Sequence, residues 1–293
     1  MSYLISVIVA LAMPQPEPVQ ADVAWVASGA FCEPETVLPL PDDTLLISNV
    51  CDFRKAGNGF LTLLDLNGNV IDWRIVDNLD APLGMALQHG RLYVVDNNRV
   101  KIFAWPQYRP LETIELDTRV ANDIAVGRDG TIYVSDTASH SVIKLSEDGV
   151  QSVLTGKPQF QGANGIHVEG NALFVGGSRL WRVDLQDYSV TTIGPEWLAD
   201  IDGIEIEPAG TLQITPVAGP LVRYCNSYRF EILGGDGISS ANHGYAASHR
   251  LALIPTGFDN KVVAISINES EPIQATDAKS TRTCVLSTAE LSD

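Results

Sequence analysis

The sequence has little positive charge. It contains 19 Lys and Arg against 36 Asp and Glu in 293 residues, a formal net charge of −17 at pH 7. Because a protein that binds nucleic acid needs a basic surface for the phosphates, this balance argues against a nucleic-acid partner. The acidity by itself indicates good solubility, and a local cation site would fit the same sign.

Several patterns typical of enzymes and metal proteins are also missing. The four cysteines have no CxxC spacing, so a structural zinc site or a thioredoxin-like motif is not expected. No serine stands in a nucleophile elbow, which removes the support for a serine hydrolase. No stretch beyond the N-terminal region shows the periodicity of an amphipathic helix, and the chain reads as all-β.

Long apolar runs are rare, and the one at residues 3–13 is too short to span a bilayer. Three prolines follow it within residues 14–21, and Val19-Gln20-Ala21 has the small residues of a cleavage site. We therefore predict a cleaved signal peptide over residues 1–21, a single domain over residues 22–293, and a secreted or periplasmic protein. A buried strand over the same run is the alternative. No other stretch is long enough to span a membrane, so we expect no span in the mature chain.

An export signal makes disulfides plausible, and four cysteines allow three pairings. Without an export signal, buried free thiols are the alternative. Cys32 precedes the first predicted inner strand and Cys51 ends the strand that returns beside it. The pairing Cys32–Cys51 is therefore geometrically reasonable, and Cys225–Cys284 follows by elimination.

What the sequence does contain is a repeat, seen most clearly in "VANDIAVGRDGTIYVSDT" at residues 120–137. Each copy has a short apolar run, a turn rich in Asp, Gly, Asn or Pro, and a second alternating run, which is typical of a β-hairpin. The copies align on one slot, occupied in order by Thr36, Gly84, Asp123, Gly165, Gly203 and Gly244. Steps of 48, 39, 42, 38 and 41 residues separate these positions. This period predicts a six-bladed β-propeller with a central channel.

The residue before that slot lies where each chain segment enters the inner strand, at one mouth of the channel. The six positions hold Glu35, Leu83, Asn122, Asn164, Asp202 and His243. Two carboxylates and two amides aimed into one volume suit a hard divalent cation, with Ca²⁺ expected and Mg²⁺, Mn²⁺ or Zn²⁺ as alternatives. Asn-Gly and Asp-Gly are also ordinary turn dipeptides, so any single copy would be read as a turn.

The ordered phrases "PETV", "APLGMA", "ANDIAV", "ANGIHV" and "IDGIEI" resemble the SMP-30/gluconolactonase/LRE-like six-bladed propellers over roughly residues 30 to 267. The resemblance implies a divalent metal and hydrolysis of a lactone. It implies metal ligation by Glu35, Asn164 and Asp202, with Asp202 also the base. Asn122 and Asp123 match the family's pair that faces metal or substrate. The family's arginine two residues before that Asn is absent, and Arg119 lies three residues before it.

These residues lead to a hypothesis and to alternatives. A metal at Glu35, Asn164 and Asp202 would act on a lactone or related cyclic ester, with Asp202 as base. We assign Asn122, Asp123, Arg119 and His243 to substrate binding, although His243 also fits a plain channel-wall imidazole. The alternatives are a non-catalytic propeller that binds a ligand or protein around a structural ion, and a lyase acting on a cyclic ester.

Overall fold

A computed structural model describes residues 19–146, 149–155, 159–217, 219–226, 229–234 and 241–267. Its strands form six sheets in which consecutive strands pair antiparallel. The sheets are the blades of a six-bladed β-propeller, so the fold class predicted from the repeat is confirmed. Neighbouring inner strands contact one another all the way around the ring, which leaves a central channel.

The first three blades follow the repeat strand by strand, after two N-terminal strands, β1 (Val19–Gln20) and β2 (Val23–Ser28). Blade 1 contains β3 (Pro34–Pro39), β4 (Thr44–Asn49), β5 (Gly59–Asp65) and β6 (Val70–Leu79). Blade 2 contains β7 (Pro82–Gln88), β8 (Arg91–Asp96), β9 (Arg99–Ala104) and β10 (Arg109–Glu115). Blade 3 contains β11 (Ala121–Val126), β12 (Ile132–Asp136), β13 (Ser141–Leu145) and β14 (Gln151–Val153).

The other three blades have the same order from the channel outward. Blade 4 contains β15 (Ile166–Glu169), β16 (Ala172–Val175), β17 (Leu180–Asp184) and β18 (Val190–Ile193). Blade 5 contains β19 (Ile201–Ile206), β20 (Leu212–Pro216), β21 (Leu221–Asn226) and β22 (Arg229–Gly234). Blade 6 contains β23 (Gly244–Ala246), β24 (Leu251–Thr256) and β25 (Lys261–Ser266), with a 3₁₀ turn at Gly257–Asp259.

The ring is closed by strands from both ends of the described chain. The run "VAWVAS" at residues 23–28 predicts an outer strand that closes the ring against the last blade. As predicted, β2 pairs antiparallel with β25 as the outermost strand of blade 6. At the channel, Thr36 forms a parallel bridge with Asn242, which joins blade 1 to blade 6. Closure of this kind leaves fewer exposed strand edges.

Local sequence explains the hairpins that define each blade. In blade 3, the Gly127 N–H donates to the Thr131 carbonyl at 2.8 Å, and Asp129 accepts from the Thr131 N–H. Gly130 has φ +86°, a conformation that glycine adopts without a Cβ clash. The Arg-Asp-Gly sequence therefore turns the chain directly from β11 into β12.

The apolar core is divided among the blade interfaces. Between blades 2 and 3, for example, Val95 and Val100 pack with Ile124 and Val126. The pattern of the repeat, with a polar Asn122 followed by Ile124 and Val126, predicts that these two side chains pack between blades, and the structure confirms it. Complete burial of one such side chain contributes about 1.5–3 kcal/mol, and stacked blades repeat this gain around the ring.

Two further predictions concern the chain ends and the cysteines. The Cys32–Cys51 disulfide is present, with the Cα atoms 4.8 Å apart. Cys284 of the other predicted pair and most of the predicted signal peptide lie outside the described residues. Val19–Gln20 pairs in parallel with β22 at the rim of blade 5. Among the described residues, no helix is both long and apolar enough to cross a bilayer.

Candidate functional site

The predicted ring residues lie where the inner strands begin. Glu35, Asn122 and Asp202 are each the second residue of an inner strand, and Asn164 lies just before β15. Since the inner strands run in the same direction around the channel, these beginnings meet at one end, which we call the upper end.

Buried polar side chains fix the segments that lead into the inner strands. Asp136, at the end of β12, accepts hydrogen bonds from the backbone N–H groups of Arg119 and Val120 at 2.9 and 3.0 Å. Asp96 does the same for Asp80 and Ala81 in blade 2. The polar residue that ends the second strand in these two blades therefore holds the entry to the inner strand, and with it the position of the ring residue.

Glycine in the aligned slot lets neighbouring inner strands approach closely. A Cβ added at Gly165 would lie 1.7 Å from the carbonyl oxygen of Asp202. A Cβ added at Gly84 would lie 2.2 Å from Oδ1 of Asp123. The glycine of one blade therefore makes room for the acidic residue of the next.

Glu35 is held at the joint between blades 1 and 6. Its backbone carbonyl accepts from the Asn242 N–H at 3.0 Å, and its Oε2 accepts from the Thr36 hydroxyl at 2.5 Å. Burial raises the pKa of Glu35 well above its usual value, and the negative charges of Asp202 and Asp123 raise it further. The carboxyl groups of Glu35, Asp123 and Asp202, from blades 1, 3 and 5, are therefore near enough for Glu35 to sense the charges of the other two.

Asp123 and Asp202 also have raised pKa values. Burial raises the pKa of Asp123 to about 7, although its Oδ2 accepts the Ile166 N–H at 2.8 Å. Burial raises the pKa of Asp202 to about 7 as well, while a hydrogen bond from the Asn164 side chain acts in the opposite direction. Desolvation favours the neutral acids, so near neutral pH a cation would be needed to keep the carboxylates ionised together.

Hydrogen-bonding capacity is left over at this end of the channel. In the described part of the chain, buried Oδ1 atoms of Asn122, Asn164 and Asp202 have no hydrogen-bond partner. Buried polar atoms without partners are rare, and a site for an ion or water is one reason for them. Amide and carboxylate oxygens are the donors that Ca²⁺ and Mg²⁺ prefer. The residues present therefore fit a hard divalent cation.

The side chains that could hold a cation at the upper end are amides as well as carboxylates. The described residues include no group of three or more His, Cys, Asp and Glu side chains placed to hold a metal ion. A site at the upper end would thus depend on the amide of Asn164 as well as on the carboxylates of Glu35 and Asp202. Such a set suits Ca²⁺ better than a zinc site built from nitrogen and sulfur.

The remaining predicted site residues have different surroundings. His243 is buried, its Nδ1 lies 3.0 Å from the Thr215 hydroxyl, and its Nε2 has no partner among the described residues. Burial lowers the pKa of His243 to about 3, so the imidazole is neutral at pH 7. Leu83 is a buried side chain of the ring. Arg119 is exposed in the segment before β11.

Sequence reasoning missed two polar residues further down the channel, His167 and Glu205. Nδ1 of His167 lies 3.5 Å from Oε2 of Glu205. Both follow a ring residue by three positions, where the other copies have Leu38, Ala86, Ala125 and Ala246. Reading this second layer of the repeat would have identified them, because they are its only polar members.

The fold and this channel define the class as a six-bladed β-propeller with an acidic channel, and the comparisons agree with the fold. No protein-family model and no curated protein matches the chain. A solved structure described as a "putative gluconolactonase" is similar with a TM-score of 0.64 and 15% identity, over 86% of this chain and 93% of that chain. At this identity, the likeness concerns the fold alone.

Two lyase structures are also similar to this chain in fold. A streptogramin B lyase matches with a TM-score of 0.60 and 12% identity, over 83% of this chain and 98% of that one. A catalytically inactive histidine-to-alanine variant of virginiamycin B lyase from Staphylococcus aureus, with quinupristin, matches with a TM-score of 0.56 and 14% identity, over 80% and 95%.

Proposed function

We propose that this chain is a divalent-metal-dependent hydrolase of a lactone or related cyclic ester, with its site at the upper end of the channel. The observation that carries the proposal is the set of unpartnered, buried oxygens of Asn122, Asn164 and Asp202 beside the carboxyl group of Glu35. The resemblance of the repeat phrases to the SMP-30/gluconolactonase-like propellers points to the same chemistry.

Each residue has a role that its surroundings support. Glu35, Asn164 and Asp202 would hold the cation, which supplies a Lewis acid for the ester carbonyl. Asp202 accepts the proton of the attacking water, and its raised pKa makes it a competent base near neutral pH. The acyl–oxygen bond breaks and the departing ring oxygen takes a proton, so the product is an open hydroxy acid. Asn122 and Asp123 orient the ring, and His243 and Arg119 complete the substrate contacts.

The test compares two aspartates of the same segment. Purified protein is assayed with five- and six-membered lactones in the presence of Ca²⁺, Mg²⁺, Mn²⁺ or Zn²⁺, and element analysis identifies the metal that co-purifies. We expect Asp202→Asn to lower turnover by about 10²–10⁴-fold, the usual range for loss of a general base. The exposed Asp200→Asn serves as the control and should retain wild-type turnover. If the wild-type protein opens no lactone with any of these metals, the hydrolase proposal is wrong.

The alternative is a binding module with a structural ion. In that case chelation lowers the melting temperature, while neither the wild type nor Asp202→Asn shows turnover on any substrate. The two readings therefore differ in one assay, since only the enzyme links metal occupancy to a reaction rate.

A lyase is a second catalytic candidate, and His243 is the residue that favours it. A neutral imidazole with an unpartnered Nε2 can abstract a proton, and the similar virginiamycin B lyase variant is inactive after a histidine change. Mass spectrometry separates the two reactions, because hydrolysis adds water to the lactone whereas elimination gives an isomeric unsaturated acid.

The proposed location is outside the cytoplasm. The Cys32–Cys51 disulfide supports it, because disulfides persist in oxidising compartments. The signal-peptide prediction points in the same direction, and N-terminal sequencing of the exported protein tests it by showing whether residue 22 is the first.

A further inference from the structure

The channel contains a second polar pair, His167 and Glu205, which the proposed reaction does not use. Below the ring, a cavity of about 260 Å³ extends along the later residues of the inner strands. Its polar members include His167, Glu205 and His243, and its apolar walls include Leu38, Leu87 and Val168. Asp123 also lines the cavity, whereas its described lining does not include Glu35, Asn164 or Asp202.

The charges around the cavity have one sign. Among the described residues that line it, Asp123 and Glu205 are the acids, and none is a lysine or an arginine. The side chain of Glu205 keeps about a quarter of its surface exposed. Burial, followed by the charge of Asp123, raises the pKa of Glu205 to about 8. A ligand that brings a positive charge would therefore stabilise the carboxylate form.

The two histidines of the cavity supply acceptors. Burial lowers the pKa of His167 to about 4 and that of His243 to about 3, so both imidazoles are neutral at pH 7. Nε2 of His243, whose residue is 1% exposed, has no partner in the described chain. A neutral imidazole nitrogen that carries no proton accepts a hydrogen bond, and an ammonium group has three to donate.

The apolar part of the cavity continues toward the lower face. Leu38, Pro39, Leu87 and Tyr245 line this cavity and also a neighbouring one of about 350 Å³. A ligand with a charged head beside Glu205 could thus place an apolar chain along these side chains. A metal ion fits less well, because no group of His, Cys, Asp and Glu in the described residues has the arrangement of a metal site.

We propose that the lower half of the channel binds a small organic ammonium ion with an apolar chain, whose head lies between His167 and Glu205. The site is separate from the ring of Glu35, Asn164 and Asp202. It uses polar residues on the two neighbouring blades 4 and 5, where the other blades have apolar residues.

The experiment uses n-hexylammonium as the probe in isothermal titration calorimetry with the full chain at pH 7.5. The matched ligands n-hexanol and hexanoate have the same apolar chain without the positive charge. We expect n-hexylammonium to bind at least tenfold more tightly than either. Equal affinity for n-hexanol, or no binding of n-hexylammonium at millimolar concentration, would overturn the proposal.

Variants locate the binding to the cavity. Glu205→Gln should weaken n-hexylammonium binding at least tenfold, whereas Glu115→Gln, an exposed glutamate on the outermost strand of blade 2, should change it less than twofold. Val168→Phe keeps Glu205 but fills cavity space, and it should also weaken binding at least tenfold. Thermal melts establish that each variant is folded.

If Glu205→Gln fails to fold, Val168→Phe still decides the question. Wild-type affinity in any folded cavity variant contradicts the proposed position. Added EDTA should leave the affinity unchanged within twofold, and loss of binding in EDTA would show a metal-mediated contact instead. The lactonase assay is independent of these results, so failure of this proposal leaves the proposed reaction to its own test.

Discussion

Replacement of Gly165 by alanine is the most direct test of the way in which neighbouring blades meet at the channel. The added Cβ would lie 1.7 Å from the carbonyl oxygen and 2.6 Å from the carbonyl carbon of Asp202. Both atoms belong to the backbone of blade 5, so no side-chain rotation can relieve the contact. Either β15 or β19 must shift, and Asp202 shifts with it.

The expected cost follows from the nature of the contact. Overpacking a well-packed interior costs about 1–3 kcal/mol, and occasionally more, when the surroundings can adjust. Since the clash here is with backbone, we expect about 3 kcal/mol or more for Gly165→Ala. For a domain of this size, each kcal/mol lowers the melting temperature by about 2 °C, so a decrease of roughly 6 °C is expected.

Gly90→Ala provides the control. Nothing lies within 4 Å of a Cβ at Gly90, although its φ of +71° adds the cost of a left-handed conformation, about 1–2 kcal/mol. Urea unfolding gives both free energies of unfolding, and calorimetry gives the affinity for Ca²⁺. Neutral surface changes alter the free energy of unfolding by less than about 0.5 kcal/mol. A change this small for Gly165→Ala, together with an unchanged response to Ca²⁺, would refute the close-approach argument.

Three further predictions follow from buried groups. Asp123 has a pKa of about 7 when folded against an ordinary 3.8, so its folded form retains a proton that the unfolded chain loses as pH rises. In EDTA, wild type should therefore lose roughly 2–3 kcal/mol of stability between pH 5 and pH 7.5 that Asp123→Asn does not lose, as measured by urea unfolding at each pH. Arg223→Met should cost about 3–5 kcal/mol, because it leaves Glu207 as a buried carboxylate without its bidentate partner at 2.6 and 2.7 Å. Cys51→Ser opens a 19-residue separation and should cost about 3 kcal/mol in unfolding experiments without reductant.

Each of these has its own comparison. Arg128→Met removes a pair with Glu169 at 3.5 Å in which the arginine side chain is 63% exposed, and it should change stability by less than about 1 kcal/mol. A similar cost for the two arginine variants would contradict the buried-pair argument. Parallel pH profiles for wild type and Asp123→Asn would show that Asp123 is ionised throughout. In reductant, the wild type should lose the stability that the Cys32–Cys51 disulfide contributes, so its free energy of unfolding should approach that of Cys51→Ser.

The same buried carboxyl groups dominate the electrostatics of the channel. Asp123 and Asp202 have raised pKa values because they lie out of water, and hydrogen bonds from Ile166 and Asn164 offset this only in part. Burial of acids in this way costs stability unless a proton or a cation accompanies them. The metal site that we propose lies at the upper end, where the Oδ1 atoms of Asn122, Asn164 and Asp202 have no partner among the described residues. The lower end has neutral imidazoles and apolar walls, which suit an organic cation.

The sequence by itself determined the repeating part of this protein. Turn residues such as Asp129 and Gly130 act within a few residues of chain, so the hairpins could be read locally, and their period gave the number of blades. The closing strand at residues 23–28 and the Cys32–Cys51 pair followed from the same regular geometry. The ring positions came from applying one slot to all copies.

Only the tertiary structure decided what the side chains of different blades do to one another. The proximity of Asp123 and Asp202 to Glu35, and the unpartnered oxygens beside them, depend on contacts between residues far apart in sequence. The pair of His167 and Glu205 likewise acquires meaning only where β15 and β19 meet. Burial and electrostatic interaction are properties of the closed ring, because a single blade exposes these groups to water, and so no local pattern can specify them.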